Sequence, residues 1–301
     1  MRAVVTGGAG FIGSHLVDAL LGRGDEVHVV DSFATGRREN LNGAARVHEH
    51  DIQQPLASLF ADVRPERVFH LAAQADVGTS VQQPQLDAAV NVLGTLHVLE
   101  AARPHGAVVV FTSTGGAIYG ECPEPAGEDA TREPLSPYGT SKLCGEEYLA
   151  TWNRLYGMRH VALRLANVYG PRQLAKLEGG VVAIFMDRLR AGGSGTIYGD
   201  GEQERDWVYV GDVVGALLAA ADAAEPGTYN VGTGVATTVN ELWRLCAGVA
   251  GLDGEATHEE PRPGDLRRSV LDTSRARAAL GWEARVTLEN GLRETWESQA
   301  G

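Results

Sequence analysis

Over the first two-thirds of the chain, short β-branched apolar runs alternate with longer stretches whose apolar positions recur every three or four residues. The short runs predict strands over 2–6, 26–31, 46–48, 67–71, 108–112 and 160–165. The longer stretches predict helices over 11–23, 55–62, 84–102 and 137–156. Strands separated by helices form parallel sheets, because a parallel pair needs a crossover long enough to hold a helix. Beyond residue 167 the pattern loosens into glycine-rich turns at 179–180, 192–195 and 199–201, with helices near 239–249 and 274–280. The expectation is an α/β, doubly wound parallel sheet over 1–166, followed by a smaller C-terminal α/β domain over 167–301. Segments near 205–230 are expected to return to the first domain.

Charge narrows the possible partners. The 301 residues carry 26 basic and 39 acidic side chains, a net charge of −13. No basic face is available to neutralise a polyanion, which argues against nucleic-acid or anionic-membrane binding. A small phosphorylated ligand needs only one or two well-placed arginines. Three widely spaced cysteines, Cys122, Cys144 and Cys246, form neither a disulfide framework nor a metal-ligand pattern. The opening MRAVVTGGAGFIGSH has no charged segment before an apolar one, so it is not a secretory leader. The longest apolar run, around 213–224, is interrupted by Gly215 and Asp222 and is too short for a bilayer. A cytoplasmic location without membrane partners is expected. The basic residues are lopsided, with 24 arginines and two lysines, Lys142 and Lys176.

Gly7, Gly10 and Gly13 stand directly after the first strand and open the first helix. Glycines there permit a tight turn and close backbone approach, and the helix N-terminus offers free N–H groups to a pyrophosphate. Asp31 closes the second strand, 18 residues past Gly13, where a carboxylate accepts hydrogen bonds from both ribose hydroxyls and repels a 2′-phosphate. This is a Rossmann-type dinucleotide fingerprint, and Asp31 points to NAD; Arg37 and Arg38 nearby keep NADP open. Asp51 and Ile52, at the end of the third strand, are candidate adenine contacts.

Tyr138 and Lys142 are four residues apart at the start of a predicted helix, so both project from one face. A phenol titrates near 10, and a neighbouring ammonium with an oxidised nicotinamide is expected to lower it toward working pH. Eight tyrosines and two lysines in 301 residues produce roughly 0.05 such pairs by chance. Upstream, Ser113 and Thr114 follow a buried strand, at the carboxyl end where open α/β sheets bind ligands. Either hydroxyl is a candidate to share a proton with Tyr138.

Together these residues resemble the extended short-chain dehydrogenase/reductase family, and within it the nucleotide-sugar 4-epimerases of the UDP-glucose (UDP-galactose) type. The likeness spans essentially the whole chain. It rests on TGGAGFIGSH at 6–15, HLAAQADVGTS at 70–80, TSTGGAIYG at 112–120, YGTSK at 138–142, RLANVYGPRQ at 164–173, GDGEQERDWVYVGD at 199–212 and RPGD at 262–265. The resemblance implies Tyr138 as base, Lys142 on the nicotinamide ribose and Thr114 as the hydroxyl partner. It places Gly7, Gly10, Phe11, Ile12, Gly13, Asp31, Asp51, Ile52, Leu71, Ala72, Ala73, Gln74 and Asn91 on the cofactor. Asn167, Val182, Arg205, Arg262 and Asp265 would join Thr114 and Tyr138 on a UDP-sugar. It further implies NAD as cofactor, a nucleotide-sugar-binding second domain, no metal, and a homodimer.

Departures from the family pattern narrow the chemistry. Sugar-nucleotide dehydratases carry an Asp–Glu pair after the Ser/Thr, whereas Gly115 and Gly116 stand here. Decarboxylases also carry a carboxylate there. Many UDP-galactose epimerases place a lysine where this chain has Ala75 and Asp76. The implied reaction is inversion at C4 of a UDP-hexose through a transient 4-keto sugar. Alternatives are the same reaction on UDP-glucuronic acid, with Arg172, Lys176 or Arg188 meeting the carboxylate, and a nucleotide-sugar 4-ketoreductase or dehydrogenase. A non-catalytic dinucleotide sensor is disfavoured by the tyrosine–lysine pair.

Overall fold

The computed structural model describes residues 1–175, 180–252, 254–262 and 264–298. Its central sheet has seven strands, all parallel. In chain order they are β1 (Arg2–Thr6), β2 (Glu26–Asp31), β3 (Arg46–Glu49), β4 (Arg67–His70), β5 (Val108–Thr114), β6 (Val161–Leu165) and a last strand, Gly227–Val231. Their spatial order is β3-β2-β1-β4-β5-β6 followed by Gly227–Val231. Thr6 at the end of β1 pairs with Val30 on one side and His70 on the other. There the strand order reverses, opening a crevice outside the carboxyl ends of the strands.

Helices cover both faces. On one, Leu16, Val17 and Leu20 of the first helix (Phe11–Gly22) pack with Val213, Leu217 and Ala220 of the helix Val210–Ala221. On the other, Phe60, Val98, Leu99 and Leu149 close over Val4, Val68 and Val109. A third cluster, around Phe185, Trp207, Leu242, Trp243 and Leu292, holds the C-terminal portion together.

Three differences from the predicted elements bear on the site. First, β5 runs to Thr114, two residues past its apolar run, because Ser113 and Thr114 still pair with Arg164 and Leu165 of β6. Second, the helix predicted over 84–102 is interrupted. Pro84–Ala88 and Gly94–Ala102 are α-helical, but Ala89–Leu93 forms a π-turn. The Thr95 hydroxyl donates to the Asn91 carbonyl at 2.6 Å within this widened turn. Third, the pattern does not predict the helices Val77–Gln82, Val181–Arg190, Val210–Ala221 and Leu288–Ser298. Val77–Gln82 is short and β-branched and is started by Asp76, whose carboxylate accepts from Thr79 N. Val210–Ala221 is buried on so many sides that its sequence carries little polar period.

Candidate active site

A cleft of about 850 Å³ lies along the carboxyl ends of β1, β2, β4 and β5. At one end is the glycine turn. Gly7 adopts φ +70°, and a Cβ there would stand 2.7 Å from Ala72 N; a Cβ on Gly13 would stand 2.1 Å from the Gly7 carbonyl oxygen. Neither position has room for a side chain. Gly10 is different: its added Cβ would meet only the Gly7 oxygen, at 3.2 Å, so its missing side chain leaves space on the cleft side. The helix that begins at Phe11 has no side-chain cap and no acidic residue in its first turn. Its first N–H groups and the positive end of its dipole are therefore free for an anion.

Asp31 is 7% exposed and lines the same cleft. Its Oδ2 accepts from Ala9 N at 2.9 Å and its Oδ1 from Phe33 N at 2.8 Å, which fixes the carboxylate and leaves each oxygen a further lone pair. The Arg38 guanidinium lies 4.0 Å over the Phe33 ring and pairs with Glu49, and Arg37 pairs with Glu39 at 3.4 Å. Both arginines are thus engaged with protein groups. Asp51, with its two oxygens held by Gln53, and the buried Ile52 close this end. Gly13, Asp31 and the uncapped helix fit a dinucleotide with unphosphorylated ribose hydroxyls.

Leu71, Ala72, Ala73 and Gln74 form one wall, held from behind by a directed chain of hydrogen bonds. Ala72 N donates to Thr6 Oγ1 at 3.2 Å, and Thr6 Oγ1 lies 2.8 Å from His70 Nδ1. His70 Nε2 lies 3.0 Å from Thr95 Oγ1, whose proton is committed to the Asn91 carbonyl. For a neutral His70 the chain has one consistent assignment, with the proton on Nε2. Burial and the nearby Lys142 charge agree, pushing the His70 pKa down to about 3.

The tyrosine and lysine line the same cleft. Both come from the helix Pro137–Tyr156, which Ser136 caps by accepting from Gly139 N. Lys142 is 3% exposed; its Nζ donates to the Thr112 carbonyl at 2.9 Å and lies 4.8 Å from the Phe111 ring centroid. Tyr138 is half-buried and faces the cleft, and the Thr114 hydroxyl is the side chain that favours its ionised form. The expected lowering of the phenol does not occur in the protein alone. Burial, reinforced by the Asp87 carboxylate, pushes the Tyr138 pKa up to about 12 against the Thr114 hydrogen bond. Burial also pulls Lys142 down to about 8, opposed by Asp87 and Glu146.

The two candidate hydroxyls of β5 separate clearly. Ser113 Oγ donates to Glu146 Oε1 at 2.5 Å, and Glu146 forms a buried ion pair with Arg164 at 2.7 Å. Arg164 continues to Tyr119, which donates to Asn230 of the last strand at 2.8 Å. Ser113 is tied into this network, and Thr114 is the hydroxyl that meets Tyr138.

A protein-family model described as the NAD dependent epimerase/dehydratase family matches residues 3–232. The chain belongs to this family. Within it, the UDP-glucose 4-epimerase of Mycolicibacterium smegmatis is 46% identical over 99% of this chain and 98% of its own length. Two solved structures are also similar. The UDP-glucose 4-epimerase of Thermotoga maritima, solved with UDP-glucose, superposes with a TM-score of 0.97 at 48% identity, covering 99% of this chain and 98% of that one. The Thermus thermophilus UDP-glucose 4-epimerase, in complex with NAD, gives 0.94 at 47% identity over 99% and 98%.

Not all the residues implied by the family likeness reach the cleft. Asn167 and Val182 line its far end, beside Trp207 and Gln173. Arg205 instead pairs with Asp265, and the Arg262 guanidinium stacks 3.8 Å over the Tyr198 ring; none of these three lines the cleft. Asn91 sits behind the wall, its Nδ2 near Gln74 O, Asp87 Oδ1 and Ser141 Oγ at 2.9–3.1 Å. Gln74 lines the cleft, but its amide is engaged with Asp76 and Asp87. Arg172 pairs with Asp18, Arg188 is exposed, and Lys176 lies outside the described residues. Sequence reading missed Asp87 and Glu146, two carboxylates that look like helix-surface residues until the fold buries them.

Proposed function

We propose that the protein is an NAD-dependent nucleotide-sugar 4-epimerase that inverts C4 of a UDP-hexose of the UDP-glucose/UDP-galactose type through a 4-keto sugar. The observation that carries this reading is the convergence of Tyr138, Thr114 and Lys142 on the cleft that begins at the uncapped glycine turn. The name shared by these similar relatives supports it.

Bound NAD would lie from Asp31 across the glycine turn to Lys142, supplying reversible hydride acceptance and a positive charge beside the phenol. The residues of the chain supply everything else. Tyr138 Oη takes the proton of the sugar 4-hydroxyl through Thr114 Oγ1 and returns it once the opposite face is presented. The Lys142 ammonium, held by the Thr112 carbonyl, would bind the nicotinamide ribose and favour the phenolate. Asn167 and Val182 would meet the substrate. Arg205, Arg262 and Asp265 are assigned to the diphosphate and ribose; reaching them requires Arg205 and Asp265 to exchange their mutual ion pair for ligand contacts. Remote binding of the nucleotide would leave the hexose loosely held, so that one site serves both faces.

The neutral hexose is favoured over glucuronate because the described lining residues include no arginine, and their one lysine is already engaged. Residues 1–166 would form the NAD-binding domain and 167–301 the nucleotide-sugar domain. The strand Gly227–Val231, paired with β6, is consistent with a return to the first. A cytoplasmic homodimer completes the reading. Exposed Val81, Leu93, Leu155 and Tyr156, on or beside mutually packed helical segments, support self-association.

Incubation with UDP-glucose, UDP-galactose, UDP-GlcNAc and UDP-glucuronate separately, followed by NMR, tests the reaction. Interconversion of UDP-glucose and UDP-galactose without net absorbance at 340 nm is expected. Stoichiometric absorbance at 340 nm would instead establish a dehydrogenase.

A further inference from the structure

Asp87 is 1% exposed, on the short helix Pro84–Ala88 just before the π-turn. Its Oδ1 accepts from Gln74 Nε2 at 3.1 Å and from Asn91 Nδ2 at 3.0 Å. Both bonded partners are neutral amides. Asn91 Nδ2 also reaches Ser141 Oγ at 3.1 Å, and Ser141 Oγ donates to the Tyr138 carbonyl at 3.0 Å. Through Oδ1 the carboxylate is thus joined both to the cleft wall, by Gln74, and to the turn of helix that carries Tyr138 and Lys142, by way of Asn91 and Ser141. Taking a carboxylate out of water without a bonded cation is unfavourable, and here the two amide hydrogen bonds and the charge of the nearby Lys142 ammonium offset it.

We propose that Asp87 is a positioning residue and the electrostatic counterweight of the Tyr138–Lys142 pair, setting the pH range over which the pair is a protonated ammonium beside an ionisable phenol. This deepens the epimerase reading and rests on it for the kinetic arm of the test. The Asp87 charge raises the proton affinity of both Tyr138 and Lys142. Other groups facing the pair are accounted for. Glu146, bound to Arg164 and Ser113, also raises Lys142 but is unchanged when Asp87 is replaced; Asp76 caps the Val77–Gln82 helix, and His70 is neutral between Thr6 and Thr95. Without Asp87, both groups lose their protons at lower pH, so the two limbs of a bell-shaped rate profile move down together.

Asp87→Asn is nearly isosteric and still accepts from both amides. The first measurement is made on the protein alone. Selective ¹³Cε-lysine labelling gives two side-chain signals, because the chain holds only Lys142 and Lys176, and Lys176→Arg assigns them. The Lys142 signal of Asp87→Asn is expected to titrate at least about half a pH unit lower, a threefold change in ionisation constant. The second measurement is the kcat–pH profile for epimerisation, whose limbs should both shift down by a similar amount. Asp87→Glu, which restores the charge, should return the profile to its wild-type position.

An unshifted Lys142 signal in folded Asp87→Asn overturns the proposal. So does a lower rate with both limbs in place, the mark of a merely structural role. Near-UV circular dichroism reports folding; loss of the fold in both Asp87→Asn and Asp87→Ser would assign Asp87 to packing and also overturn it. If no sugar is epimerised, the NMR result still stands and the reaction assignment alone fails.

Discussion

Ser113 Oγ donates to Glu146 Oε1 at 2.5 Å, leaving the hydroxyl beside Tyr138 to its neighbour Thr114. Both residues line the cleft, but the Ser113 hydroxyl is committed to the Glu146–Arg164 pair and the Thr114 hydroxyl is not. Thr114→Ala is therefore expected to lower kcat by about a hundredfold, the usual weight of a proton-transfer group. Ser113→Ala should cost under about tenfold in kcat, with about 1 kcal/mol of stability from the lost hydrogen bond. Steady-state kinetics and urea unfolding of the two variants decide this; the reverse order of rates would exchange their roles.

Tyr138→Phe removes the proton carrier and leaves the ring in place. A fall in kcat of about a thousandfold is expected from loss of general acid–base catalysis. UDP binding, measured by calorimetry, should change little, because the phenol hydroxyl faces the reacting sugar rather than the nucleotide. Near-normal turnover would remove Tyr138 from the chemistry.

The glycines of the first turn should respond unequally. A methyl at position 13 would lie 2.1 Å from the Gly7 oxygen, so Gly13→Ala should destabilise the fold by about 3 kcal/mol. Gly10 leaves more room, with its nearest contact at 3.2 Å, and Gly10→Ala should melt within a few degrees of the parent. Its added methyl would nevertheless stand in the cleft. Nucleotide released on denaturation and quantified by chromatography should be largely absent from folded Gly10→Ala.

Stability should fall on mild acidification. Burial lowers the pKa of His70 to about 3 and of His160 to about 4, against about 6.5 when unfolded. Below pH 6.5 the unfolded chain takes up protons that the native rings refuse, so unfolding becomes easier as pH drops toward those native values. Each ring then contributes about 1.4 kcal/mol of destabilisation per pH unit. From pH 7 to pH 5 this amounts to about 2 kcal/mol per histidine. Urea midpoints at the two pH values test it, and His160→Gln should reduce the dependence by about 2 kcal/mol.

Much of the fold is legible in the sequence because strand runs, glycine turn and Tyr138–Lys142 spacing are all local patterns. The start of the cleft is legible for the same reason: Gly7, Gly10, Gly13 and Asp31 lie within one strand–helix–strand unit. Orientations set by distant partners are not. Nothing near Ser113 reveals that Glu146 and Arg164 will claim its hydroxyl, and nothing near Arg205 reveals Asp265. The raised phenol of Tyr138 escapes sequence reading too. It follows from burial and from Asp87, which lies 51 positions earlier in the chain and resembles any polar residue on a helix.

The π-turn at Ala89–Leu93 has an evolutionary consequence. A π-turn is equivalent to one residue inserted into an α-helix, and such turns are frequent at functional sites. Deleting one residue there would let Pro84–Ala88 and Gly94–Ala102 run on as a single regular helix. The same deletion would swing the segment before it by about 100° relative to the segment after it, turning Asp87 away from Gln74 on the cleft wall. A descendant could thus gain a smoother helix and lose its chemistry in one step.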